Sequence, residues 1–156
     1  MTALTHRLAT EADIPVMSRV LIASITELCA ADHGNDPKKL AAWLRNKTPG
    51  GVQEMLENPR GQLFVAELDG ILGAVGAISN DGQITLNYVA PEMRFRGMSK
   101  TLLARLEAEL QARGCAEGRL EATATAKLFY EKAGWSVDGP QAEDRAVNGY
   151  QMRKTL

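Results

Sequence analysis

Cysteine is scarce in these 156 residues, and only Cys29 and Cys115 occur. Neither belongs to a C-x-x-C pair, and the two histidines, His6 and His33, do not cluster with them, which excludes the usual zinc-site spacings. Both cysteines are read as free thiols, buried or half-buried, in a reducing compartment. Aromatic residues make up only 5% of the chain. No apolar run approaches the length of a membrane span, and Met1–Pro15 lacks the apolar stretch of a signal peptide, so the expectation is a cytoplasmic protein that meets no membrane. Excess charge is missing too. A formal net charge of −1 argues against a nucleic-acid binder that relies on a generally basic surface. Low-complexity tracts, internal repeats and Pro/Ser-rich linkers are likewise absent, and the length suits one domain spanning residues 1–156 with a core that needs no disulfide or metal.

What is present is a change of period along the chain. His6–Ala9 reads as a short opening strand, followed by Thr10 as an N-cap with Asp13 in a capping-box position. Apolar residues at Ile14, Met17, Leu21, Ile25 and Leu28 then mark one face of a helix. Ala30–Asp36 reads as a polar break, Pro37 as the first turn of a second short helix, and Thr48-Pro49-Gly50-Gly51 as a turn cluster before a helical piece over Val52–Leu56. Gln62–Leu68 and Ile71–Ile78 are strands joined by the hairpin dipeptide Asp69-Gly70, and Asn80-Asp81-Gly82 turns the chain into a third strand, Gln83–Val89. Gly73 and Gly76 inside the second strand point to a bend or a close backbone approach. Met98, Leu102, Leu106 and Leu110 repeat every four residues, so a helix follows and ends near Gly114. Gly118–Ala122, Trp135–Val137 and Tyr150–Lys154 read as strands, with a short helix over Thr125–Lys132. The order predicts a mixed α/β (α+β) domain on one central, mostly antiparallel twisted sheet flanked by helices.

The chemistry-bearing segment runs from Leu86 to Lys100. Gly97 opens a helix and puts no Cβ in the way of a ligand, and the free N–H groups of the first turn lie at the positive end of the helix dipole. That arrangement suits a phosphate, with Arg94, Arg96 and Lys100 adding charge and Ser99 a hydroxyl. The segment is neither a P-loop nor a dinucleotide fingerprint, because the glycines those need are missing.

Arg94-x-x-Gly97-x-Ser99 after an apolar strand resembles the Q/R-x-x-G-x-G/A signature of the GNAT superfamily of acyl-CoA-dependent N-acyltransferases. Downstream, Ala126, Tyr130 and Gly134 stand in register with that family's A-x-x-x-Y-x-x-x-G-F block, and Gly149–Leu156 is similar to its closing strand. Ser99 departs from the usual Gly or Ala, Thr123 stands where many members carry Asn, and Trp135 replaces Phe. The resemblance implies a GNAT-like fold in which strands 4 and 5 splay apart. It implies acetyl-CoA as co-substrate, no metal, and an amine acceptor on a small molecule or peptide that attacks directly. By carry-over, Tyr88, Val89 and Ala90 hold the pantetheine arm, while Arg94, Arg96, Gly97, Met98, Ser99, Lys100 and Thr101 line the pyrophosphate. Tyr130 is the general acid, or the hydrogen-bond donor, for the departing sulfur. Glu27, Asp32, His33, Glu92 and Glu121 are the candidates for a base, with His33 the most convenient in pKa, and a water chain to strand backbone is the alternative. A non-catalytic acyl-CoA sensor and a protein-interaction module using the basic loop are the rival readings, and a homodimer is left open.

Overall fold

Asp69 and Gly70 both take positive φ, 53° and 80°, the conformation that a two-residue type I′ hairpin demands. This turn joins β2 (Gly61–Leu68) to β3 (Ile71–Ser79), two neighbouring strands of a seven-stranded sheet. The structure is a computed structural model that describes residues 3–156. Around the hairpin lie β1 (Leu4–Leu8), β4 (Gln83–Val89), β5 (Glu117–Ala122), β6 (Ser136–Val137) and β7 (Tyr150–Thr155), in the order β1-β2-β3-β4-β5-β7-β6. Every neighbouring pair is antiparallel except β4 and β5, which run parallel. The expected mostly antiparallel α/β sheet flanked by helices is what forms.

Both faces of the sheet are covered, and so β2 and β3 are apolar almost without interruption rather than alternating. Phe64, Ala66 and Leu68 of β2 pack on one face with Met98, Leu102, Leu106 and Leu110 of α5 (Met98–Ala112). Leu63 and Val65 face the other way, toward Ile14, Met17 and Leu21 of α1 (Ile14–Leu28) and Val52 of α4 (Pro49–Glu57). The fourfold stripe of α5 is buried throughout, each of its four residues at 1% exposure or less. The interior glycines of β3 explain how closely α5 lies. A Cβ on Gly76 would stand 3.0 Å from both Leu102 and Leu106, and one on Gly73 would collide with the Met93 sulfur.

Three local readings of the sequence need correction. Ala30–Asp36 is not simply a break, because Ala30–His33 forms a helical turn, α2, closed by Gly34 in the left-handed region. α3 (Pro37–Leu44) follows, capped by the Asp36 carboxylate. Thr48–Gly51 is the start of α4 rather than a turn before it. Thr48 Oγ accepts from Gly51 N–H, and Pro49 fits the first helical position because its missing N–H would be unpaired there anyway. The opening strand is shifted back to Leu4–Leu8, pinned by pairing with Phe64–Leu68. Capping at Thr10 is as expected, with Thr10 N–H donating to the Asp13 carboxylate at 2.8 Å.

Filling the gap under α5 is expected to destabilise the fold. Gly76→Val should cost about 1–3 kcal/mol, the usual range for overpacking a core, read as a lower urea midpoint with unchanged slope.

Candidate active site

The sheet carries its own opening. β4 pairs with β5 only at Gln83↔Arg119 and Ile84↔Leu120. Beyond that point a bulge leaves Thr85 without a partner on β3, and the two strands diverge. Ala90 N–H donates to Gly73 O at 2.7 Å, which fixes the alternation along β4. Tyr88 turns its backbone groups toward β3, and Asn87 and Val89 turn theirs into the gap.

A cleft of about 160 Å³ occupies this gap. Its walls come from both faces of the sheet: Ser24, Cys29 and Tyr88 on the α1 side, and Asn87, Ser99 and Tyr130 on the α5 side. The gap therefore passes through the sheet and joins its two faces.

Of the residues singled out in the sequence, Tyr88, Val89, Ser99, Glu121 and Tyr130 meet in this cleft. Ala90 does not. It is buried, its N–H is bonded to Gly73 and its carbonyl accepts from Met93 N–H at 2.9 Å. Met98 anchors the start of α5 in the core at 1% exposure, so it can offer a ligand only its backbone. Arg94, Arg96 and Lys100 are exposed around the helix start and form no ion pair among the described residues. Gly97 has φ 81°, the left-handed region where a side chain is strained. The first backbone bond of α5 is Thr101 N–H to Gly97 O at 3.0 Å, so the N–H groups of Met98, Ser99 and Lys100 have no acceptor within the helix. Thr101 thus serves to close the first turn.

Tyr130 is held by packing rather than by a formal bond. It is 6% exposed on α6 (Lys127–Lys132), edge-on to Phe129 at 5.1 Å and to Trp135 at 6.2 Å. Trp135 is fixed in turn by its indole N–H to Glu107 (3.2 Å), whose other oxygen accepts from Lys154 at 2.7 Å. Burial pushes the Tyr130 phenol up to about 12, and the Asn87 side chain beside it opposes part of that shift. Tyr88 is raised as well, chiefly by burial, with the Trp43 indole opposing. The Cys29 thiol is pushed up to about 12 by burial and by the nearby Asp32 charge, so it stays protonated and makes a poor nucleophile at neutral pH.

The base candidates separate cleanly. His33 is 1% exposed, and its Nδ1 accepts from Asn35 N–H at 3.0 Å. Its Nε2 must then carry the proton and donate to Ile25 O at 2.9 Å, which leaves no lone pair for an amine. Asp32 is committed to the loop before α6, accepting from Ala124 N–H at 2.6 Å and from the Thr125 hydroxyl at 2.5 Å. Glu27 and Glu92 are exposed and outside the cleft lining. Glu121 alone among the acidic residues lines the cleft, where Gln151 donates to it at 3.0 Å.

Asn87 and Ser24 are polar cleft residues that were given no role from the sequence. Asn87 presents a side-chain oxygen that is buried and lacks a hydrogen-bond partner, an acceptor facing a cavity. Its place in an alternating strand, where Gln83 and Thr85 are polar too, did not set it apart. Ser24, on the buried face of α1, gave no signal either.

The sequence profile of the acetyltransferase (GNAT) domain matches residues 29–156. The chain belongs to the GNAT acetyltransferase family. That membership makes it an acyl-CoA-dependent acetyltransferase. Solved structures share the fold over nearly the whole chain. A GCN5-related N-acetyltransferase from Rhodopseudomonas palustris superposes with a TM-score of 0.85 at 22% identity, covering 97% of this chain and 95% of that one. The PaiA N-acetyltransferase of Thermoplasma acidophilum, in complex with coenzyme A, gives 0.84 at 19% identity and covers 99% of both chains. YncA of Salmonella typhimurium, solved with its cofactor acetyl-CoA, gives 0.69 at 18% identity over 99% of this chain and 94% of its own. At such identities the likeness speaks for the fold. No curated protein matches the chain by sequence. Among the described residues of this GNAT chain no helix is long and apolar enough to cross a membrane.

The buried phenol yields a direct check. Because the Tyr130 pKa is raised, its phenolate is expected to form only above about pH 11. Ultraviolet titration of the folded protein should lose one such late-titrating tyrosine in Tyr130→Phe, and loss of a group titrating near pH 10 instead would contradict the burial.

Proposed function

We propose that this GNAT domain, residues 1–156 acting as one unit, transfers an acetyl group from acetyl-CoA to a primary amine by direct attack. The observation that carries the reading is the through-sheet gap, with a basic helix start at one end and a protonated phenol inside. The residues fit such a donor. The helix start offers three N–H groups without intrahelical acceptors, flanked by Arg94, Arg96 and Lys100, which suits a diphosphate. Val89 and Asn87 offer backbone groups along the gap, which suits the amides of a pantetheine arm. Tyr88 contributes a wall and its pairing to β3, and Ala90 ends the open run.

The thioester supplies the acyl group; the work of the chain is to position, shield and handle protons. The acceptor nitrogen attacks the thioester carbonyl, a C–N bond forms, the C–S bond breaks, and the sulfur departs with the electron pair. A thiol has a reference pKa of about 8.5, well below the phenol of Tyr130. Tyr130 therefore acts best as a hydrogen-bond donor that stabilises the developing thiolate, with full proton transfer uphill. An alkylamine with a pKa near ~10 arrives mostly protonated, and Glu121, the one carboxylate in the lining and 3.5 Å from Arg145, attracts the ammonium and relays its proton to water, since keeping it would be uphill. An acyl-enzyme on Cys29 is disfavoured by its buried, protonated thiol.

Calorimetry and turnover test this together. Wild-type protein is expected to bind acetyl-CoA and release thiol in the presence of a suitable amine. Tyr130→Phe should lower kcat by about tenfold or more, a modest share of the usual general-acid effect, with acetyl-CoA affinity nearly unchanged; equal turnover would remove Tyr130 from the mechanism. Gly97→Val forces a branched side chain into left-handed backbone at the helix start, and a large loss of acetyl-CoA affinity is expected with the circular dichroism spectrum retained. Unchanged affinity in that variant would refute the loop assignment.

A further inference from the structure

Lys47 is the one lysine or arginine in the core, 7% exposed in the connection between α3 and α4. Its backbone is clamped, since Lys47 N–H donates to Leu44 O at 2.9 Å and the buried Ser18 hydroxyl donates to Lys47 O at 2.6 Å. The Lys47 amine donates to the side-chain oxygen of Asn46, which is neutral, and no carboxylate pairs with it among the described residues. A lysine this deep in the protein with only a neutral partner lacks a counter-charge, and that is costly. Burial duly lowers the Lys47 pKa.

Lys47 opens into a cavity of about 260 Å³. Arg60 lines the same cavity, exposed and without an ion pair, along with the polar side chains of Asn46, Asn58 and Gln62. Two cations thus line it, and no acidic residue does. Thr85 and Leu86 line both this cavity and the cleft between β4 and β5. The basic cavity therefore adjoins the reaction cleft at the β4 bulge, on the sheet face covered by α1 and α4, opposite to the face on which α5 lies. The diphosphate of the donor belongs to the α5 end, which leaves this second basic site for the other substrate.

We propose that the acceptor is an aminocarboxylate: its carboxylate is received by Lys47 and Arg60, and its amine reaches the cleft past Thr85 and Leu86. This rests on the acetyl-transfer reading above and deepens it by naming the acceptor class. The two ends of the acceptor then meet opposite charges, ammonium toward Glu121 and carboxylate toward Lys47. The carboxylate also supplies the counter-charge that the buried amine lacks.

A homologous series tests the proposal and measures the spacing. Glycine, β-alanine, 4-aminobutyrate, 5-aminopentanoate and 6-aminohexanoate are compared with the alkylamines of matching chain length, following thiol release from acetyl-CoA. At one or more lengths the acid is expected to exceed its alkylamine by about tenfold in kcat/KM, the scale of one charge-assisted hydrogen bond. Lys47→Met, close in shape and uncharged, should bring that ratio toward one. Arg60→Gln, on the surface and so no threat to folding, should reduce it by a smaller factor. Binding is read separately by calorimetry of the N-acetyl product of the best acid against the corresponding carboxamide. Tighter binding of the acid in wild type, lost in Lys47→Met, supports the site. Equal turnover and equal binding of acid and neutral partner in wild type would overturn it, as would a preference that persists in both variants. Should acetyl-CoA bind but no amine be acetylated, the transferase reading fails, and calorimetry of every N-acetylated acid of the series against its carboxamide then decides for or against the carboxylate site.

Discussion

The parting of β4 from β5 is the constraint on which the site depends. A strand inside a sheet spends its N–H and C=O groups on its neighbours, and a buried strand that does not must find other partners. Here the parallel pair is only two residues deep before the Thr85 bulge turns β4 away. The backbone of Asn87 and Val89 is left facing a gap in the middle of the protein, where a substrate with amide groups can complete the ladder. The fold keeps the gap open by bracing it elsewhere. β5 is held along its whole length by β7, from Glu117↔Thr155 to Ala122↔Tyr150, and β4 by β3.

The bracing also explains the division of labour between the two faces. α5 is drawn tight against β3 by the glycines at 73 and 76, which sets its N-terminus beside the gap as a fixed electrostatic feature. α6 and Trp135 are tied back through Glu107 and Lys154, and that tie places Tyr130 within the cleft. On the opposite face the short helices are fastened to the α6 loop by Asp32, whose carboxylate accepts from Ala124 and Thr125. An acidic side chain that looks available for catalysis in the sequence is thus part of the frame. Lys47 makes the converse point, since a residue in an unremarkable loop stretch ends up buried in the cavity that adjoins the cleft.

Much of this was legible in the residues themselves. Local interactions decide the Asp69-Gly70 hairpin, the Thr10 cap, the fourfold stripe of α5 and the phosphate-suited turn at Gly97, and each declares itself over a few positions. The two blocks around Arg94–Ser99 and Ala126–Gly134 were enough to point to the family, and with it to the donor. The error at Ala30–Asp36 arose because a single helical turn carries too few residues to show a period, and that at Thr48–Gly51 because Pro49-Gly50-Gly51, turn formers by composition, open α4.

The tertiary structure alone decided which side chains face one another. His33 looked like a base because its intrinsic pKa suits the task, but the fold spends both of its nitrogens on Ile25 and Asn35. Glu121, one acid among nineteen acidic residues, acquires its place because β5 has left β4 at that point. Asn87 and Lys47 became informative only when burial showed an oxygen without a donor and an amine without a counter-charge. The sequence by itself determined the family and most of the elements, because those rest on neighbours in the chain. The walls of the cleft rest on contacts between residues dozens of positions apart, and only the folded sheet brings them together.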